Sequence, residues 1–340
     1  MRLQLPALAY ALSLAIAVQG ADKAATQPRG VVSITHTGWE GSFMLSAPTA
    51  VVKAVIVPQV GGRVIHYSLE GENIIWENPA GFGKTLATAK EGFYVGGYQC
   101  DLGPELRWPA IPNHRALWMG VHQGAAHKNH SVKTLSEPDA TLGIQMEKEI
   151  TIDADTGELG ITQRMRNTSQ HETAFCLWDR TLCNGGGYAF FPLNKKSRFP
   201  AGWSVRGKLE NRMFYDGDKP QCPQSRLLDG VLVTRCEGEP TKLGADSDAG
   251  WIAYARGRLL FVKYFPYFPK GDYTDGGNSV ELYFDHRAEL EPLSPEVKLK
   301  PGQTYDFPEM WLLIKLDAEV KSHEQARALV KLVPPSPFKR

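Results

Sequence analysis

Between residues 30 and 316 the chain consists almost entirely of short apolar or alternating runs broken by Gly, Pro, Asn and Asp, with scarcely any 3.6-residue periodicity. Such punctuation leaves no long stripe for a helix to bury, so the core has to be made by sheets. Residues 51–57 read as a buried strand, and Pro58-Gln59-Val60-Gly61-Gly62 turns it into a second one over 63–69 that continues to Ile74-Ile75-Trp76. A hairpin follows, in which Ile144, Met146, Ile150 and Ile152 face the core, 153–157 turns, and Leu159, Ile161 and Met165 return on the same face. Further strands are predicted at 174–183, 188–191, 251–254, 259–265, 280–284 and 304–316, with 194–230 as a polar loop. Residues 83–130, rich in Gly, Pro, Trp and His, are too long for an idle connection and mark a site-building segment. Only the tail looks helical, where Ser322-His323-Glu324-Gln325 opens a short helix to about residue 333. No repeat or linker interrupts the pattern, which predicts one all-β domain over 28–335 with a short C-terminal helix.

The first residues are of another kind. Arg2, an apolar run over 5–18 and Val18-Gln19-Gly20 have the layout of a signal peptide, residues 1–20, with 21–27 as a flexible leader. The expectation is an exported protein, periplasmic or secreted, with no membrane association after cleavage. A net charge of +1 with no basic stripe excludes nucleic acid as an implied partner. An uncharged small molecule fits better, and eight Trp and twelve Tyr supply flat faces for one, although a β-core uses most such rings itself. Of the five cysteines, Cys222 and Cys236 flank one strand connection and are the expected disulfide pair. Nothing in the sequence sets the oligomeric state.

The richest stretch is Ala288-Glu289-Leu290-Glu291-Pro292-Leu293-Ser294-Pro295, followed by Lys298-Leu299-Lys300-Pro301-Gly302-Gln303-Thr304-Tyr305. It places a carboxylate between apolar neighbours at a strand end, then a loop with two prolines, a Pro-Gly turn and a closing strand. This stretch resembles the signature of the galactose mutarotase-like (aldose 1-epimerase-like) superfamily. Val57-Pro58-Gln59-Val60-Gly61-Gly62-Arg63 is similar to that family's early turn, and 159–168 resembles its strand ending in Asn-x-Ser. The resemblance implies a large antiparallel β-supersandwich, with Glu291 at the position of the base that takes the anomeric hydroxyl proton. In the family a histidine protonates the ring oxygen. Here the Asn-His-x-Tyr pattern of the central strand is replaced by Leu177-Trp178-Asp179-Arg180, so a divergent, exported branch is implied.

Without that histidine the acid is sought in the irregular segment. His114, within Arg107-Trp108-Pro109-Ala110-Ile111-Pro112-Asn113-His114-Arg115, is the first candidate and His122 the second. Trp108 and Trp178 are candidates to stack on a sugar, Arg63 and Arg180 to bind a hydroxyl or an acid group, and Glu105 to pair with Glu291 across a glycosidic bond. The competing reading puts Glu289 and Glu291 on the wet face of an edge strand. His122, His127 and His130 lack the helix and carboxylate a zinc site would want, and Asp272, Asp275 and Asn278 lack a full calcium-loop spacing, so no metal is expected. There is no nucleotide or phosphate fingerprint and hence no expected cofactor. The expected function is acid/base chemistry at the anomeric centre of a sugar or oligosaccharide. A non-catalytic carbohydrate-binding protein and a lyase or hydrolase of an acidic polysaccharide are the alternatives.

Overall fold

A computed structural model describes residues 28–89, 93–107, 114–210 and 212–338. The expected signal peptide and leader, together with Trp108, lie outside these residues. Among the described residues three antiparallel sheets carry the fold. A five-stranded sheet runs in chain order from Val31–His36 to Glu72–Asn73. A ten-stranded sheet is centred on Leu259–Tyr264, Thr304–Lys315 and Leu159–Asn167. The eight-stranded sheet runs Arg212–Asp216, Ser204–Leu209, Thr241–Ala245, Val280–Phe284, Arg287–Pro292, Thr173–Asn184, with Tyr98–Gly103 and Val297–Leu299 both paired to the last. Leu243, Leu282 and Leu290 from this sheet meet Phe261, Trp311 and Ile161 from the ten-stranded one in a shared apolar core.

The strongest sequence patterns fold as written. Strands Ile144–Ile152 and Leu159–Asn167 pair with Ile152 opposite Leu159, so their apolar residues share the core face. That face also carries Lys148, wholly buried, whose ammonium donates to the Gly61 carbonyl at 2.7 Å. Burial pushes the Lys148 ammonium down to about 8. A second buried lysine, Lys263, is neutralised between the sheets by Asp179 and by Glu309 at 3.3 Å. Ser322 caps the C-terminal helix His323–Ala328 by accepting from the Gln325 amide at 3.2 Å.

Three expectations need correction. The 194–230 "loop" contains strands Ser204–Leu209, Arg212–Asp216 and Ser225–Leu228, because the last two are edge strands and the first is mostly half-exposed, so all three keep a polar composition. The irregular 83–130 segment holds strands Tyr98–Gly103 and His122–Lys128 and a one-turn helix, Arg115–Met119. Cys222 and Cys236 sit beside the open end of the hairpin Ser225–Leu228/Val231–Arg235, yet both are free thiols.

Candidate active site

Alternation along Arg287–Pro292 sets up the site. Ala288 and Leu290 enter the core, so Glu289 and Glu291 share the opposite face. The strand is interior, paired with Val280–Phe284 on one side and Thr173–Asn184 on the other, which overturns the edge-strand reading. Glu281 lies opposite Glu291, Tyr283 opposite Glu289, and Lys242 opposite Tyr283. Trp178 and Arg180 come from Thr173–Asn184, and Arg206 from Ser204–Leu209. With Tyr94, Glu105 and Arg287 these side chains enclose a cavity of about 260 Å³ that contains both Glu289 and Glu291. That is just below the range of about 300–1,000 Å³ usual for drug-sized ligands, room for a small molecule.

Glu291 is anchored by one oxygen. Its Oε2 accepts from the Trp178 indole Nε1 at 2.6 Å and from the Lys242 ammonium at 2.8 Å. Oε1 accepts nothing from the described residues, so it is the oxygen available to a bound molecule. Lys242 also reaches Glu105 Oε2 at 2.8 Å and Glu281 Oε2 at 2.9 Å. Burial works against the Lys242 charge, but Glu281, Glu291 and Glu105 outweigh it and hold the ammonium well above its ordinary range.

The carboxyl groups around this lysine are not alike. For Glu105 burial favours the neutral acid, yet Lys242 and Arg206, the latter 2.5 Å away, hold it below the usual range. Burial pushes Asp275 up to about 6 despite the backbone amides of Glu105 and Leu106 that it accepts. Glu281 and Glu289 are raised for the same first reason, with Lys242 offsetting part of it at Glu281 and Arg180 at Glu289. Oxygens of Glu105, Asp275 and Glu281 come within 4.8 Å of one another, close enough for a shared metal ion. The Lys242 ammonium already sits against Glu105 and Glu281 and supplies the positive charge that cluster needs.

The arginines of the wall are committed as well. Arg180 Nη2 pairs with Asp101, Arg206 with Glu105, and Arg287 Nε with Glu289 Oε1 at 3.1 Å. Trp178 is only 4% exposed, with the Arg180 guanidinium 4.6 Å and the Lys242 ammonium 4.4 Å from its ring centroid. Its ring therefore supports protein cations and carries the Glu291 hydrogen bond. Tyr94 and Tyr283, half-buried, are the aromatic rings of the wall that keep open surface.

The structure thus brings together Glu291, Glu105, Trp178 and Arg180 from the residues expected by sequence. Arg63 is elsewhere. It is fully buried, donating to the carbonyls of Val60 at 2.6 Å, Gly96 at 2.5 Å and Trp118 at 2.7 Å. Burial lowers its guanidinium to about 10. The preceding Gly61 and Gly62 have φ of 84° and 56°, and a Cβ at Gly61 would fall 2.0 Å from the Trp118 carbonyl oxygen. His114 is buried ahead of the helix Arg115–Met119. His122 is buried against the Leu117 carbonyl at 2.8 Å, and burial together with Lys148 pushes its imidazole down to about 3. Neither histidine is among the described residues lining the cavity.

Lys242, Glu289, Arg206, Arg287, Tyr94 and Tyr283 were not singled out in the sequence. A period-two reading would have reached some of them, since Glu281-x-Tyr283 and Glu289-x-Glu291 put polar groups on one face while Leu282 and Leu290 hold the other. Nothing local marks Lys242, which stands in an ordinary strand run, Thr241–Ala245.

No family model matches this sequence, and no curated protein matches it. Solved structures do share its fold. A putative aldose 1-epimerase from Escherichia coli K12 superposes with a TM-score of 0.54 at 13% identity, covering 81% of this chain and 99% of that one. A galactose mutarotase-like protein from Lactobacillus casei gives 0.55 at 12% identity over 81% and 100% of the two chains. Another, from Clostridium acetobutylicum, gives 0.54 at 10% identity over 84% and 98%. At these identities the likeness establishes the galactose mutarotase-like fold.

Proposed function

We propose that this protein is exported and binds one ring of an uncharged sugar in the Glu291 cavity, where it moves protons at the anomeric centre. The observation that carries this reading is the anchoring of Glu291. A carboxylate fixed through Oε2 by Trp178 and Lys242, with Oε1 left for a ligand, is oriented to accept a proton from a hydroxyl. Tyr94 and Tyr283 put ring surface beside it, with the Arg287 guanidinium 5.2 and 5.9 Å from their centroids, and the polar wall offers partners for hydroxyl groups. The pairing of Arg180 with Asp101, Arg206 with Glu105 and Arg287 with Asp285 argues against an acidic polysaccharide, because each of these guanidinium charges already faces a carboxylate of the protein.

Proton NMR of freshly dissolved α-glucose, α-galactose and a panel of common deoxysugars tests the reading. The expected result is faster anomer exchange for at least one sugar, reduced by about 10²–10⁴-fold in Glu291→Gln. Exchange at the buffer rate for every sugar would overturn the catalytic reading. The placement of His114 and His122 away from the cavity favours a second reading, sugar binding without catalysis. Calorimetric binding in the absence of accelerated exchange is its signature.

A further inference from the structure

Resting on that reading, we infer that Glu289 is the proton donor of this site, so that two carboxyl groups on one strand face, Glu289 and Glu291, do the work of a base and an acid. The geometry begins with the strand. Residues two apart on one face are separated by about 6.6 Å along the chain, and both carboxyls line the same cavity. A single bound ring can therefore touch both.

Their hydrogen bonding differs in the way the two roles require. Glu291 is bound through Oε2 by two donors, Trp178 and Lys242. Among the described residues Glu289 receives one hydrogen bond, from Arg287 Nε to Oε1 at 3.1 Å, while its Oε2 lies 4.0 Å from Arg180 Nη1, beyond hydrogen-bond reach. Arg180 spends its close contact on Asp101. Oε2 of Glu289 is thus the oxygen that can carry a proton toward a ligand. The groups facing Glu289 are Arg287 and Glu291 on its own strand, Tyr283 and Lys242 from the strands beyond, Arg180 from the other side, and Tyr94. Burial and Glu291 favour its neutral form, and Arg180, Arg287 and Lys242 oppose that.

The step balances within these two groups. Glu291 removes the proton from the anomeric hydroxyl, and that O–H pair becomes the second bond of the C1 carbonyl. The C1–ring-oxygen bond breaks, its electrons pass to the ring oxygen, and that oxygen takes the Glu289 proton. Rotation about C1–C2 and reclosure run the same transfers in reverse, returning both carboxyls to their starting states.

The test uses the full protein and compares wild type with Glu289→Gln, by NMR exchange at saturating sugar over a range of pH and by calorimetry. Expected are a loss of about 10²-fold or more in exchange rate with sugar affinity retained. Wild type should also lose rate as pH rises through the Glu289 titration, and that alkaline limb should vanish in the variant. Carbon-13 NMR of glutamate-labelled protein should show two carboxyls held neutral above the usual glutamate range in wild type, from Glu281 and Glu289, and one of them should be missing from Glu289→Gln. Wild-type catalysis with an unimpaired Glu289→Gln and an unchanged alkaline limb overturns this assignment alone. A wild type that binds sugar but does not accelerate exchange overturns both the assignment and the catalytic reading beneath it.

Discussion

Lys242→Met should unfold far more easily than wild type, and the deficit should grow as pH rises. The ammonium is 2% exposed and lies 2.8–2.9 Å from oxygens of Glu105, Glu281 and Glu291. Removing it leaves buried carboxylates facing one another with no cation among them, a kind of loss that typically costs about 3–5 kcal/mol. The acids escape by binding protons in the folded state, so their folded pKa values rise above the unfolded ones. The folded protein then holds more protons than the unfolded chain from about pH 4 upward, and stability falls through that window as pH rises. Thermal melts of both proteins at pH 4.5 and pH 8 check the sign. A gap that narrows at pH 8 would show that Lys242 is not the counter-ion of the cluster. Anomer exchange should be lost as well, since Glu291 Oε2 loses one of its two anchors.

Arg63→Met should be destabilised without a change in the sugar site. Three carbonyls from three chain segments, those of Val60, Gly96 and Trp118, lose their donor in the interior. Each orphaned buried acceptor costs about 1–3 kcal/mol, so a total of at least about 3 kcal/mol is expected. For a chain of this size that corresponds to a fall in Tm of at least about 4 °C. Arg63→Lys should recover only part of it, because one ammonium lacks the planar fork that reaches all three oxygens. Calorimetric sugar affinity, measured well below the melt, should match wild type. A large loss of affinity with an unaltered Tm would instead place Arg63 among the ligand contacts.

Much of the fold was legible before any coordinates. Alternation at 144–165, the turn at Gly61-Gly62 and the capping box at Ser322 are local signals, and each produced its local structure. The strands of 194–230 were hidden because two of them lie at sheet edges and none of the three has more than one buried residue for a pattern to catch. Of the site, Glu291, Glu105, Trp178 and Arg180 were reachable from the sequence. Arg63 was misplaced because a guanidinium after a Gly-Gly turn looks the same in sequence whether it meets a ligand or three backbone carbonyls.

The sequence by itself determined the all-β class and the core positions of its clearest hairpin, because period, turn residues and caps are properties of neighbours in the chain. Only the tertiary structure decided what surrounds Glu291. Lys242 and Glu291 are 49 residues apart and Trp178 is 113 away, and strand pairing across the sheet is what sets them within hydrogen-bond distance. The same pairing made the Arg287–Pro292 strand interior rather than edge, which buried Glu289 and Glu291 together. Burial and partner distance are long-range quantities, and at this site they decide which carboxyl is anchored by its neighbours and which is left to carry a proton.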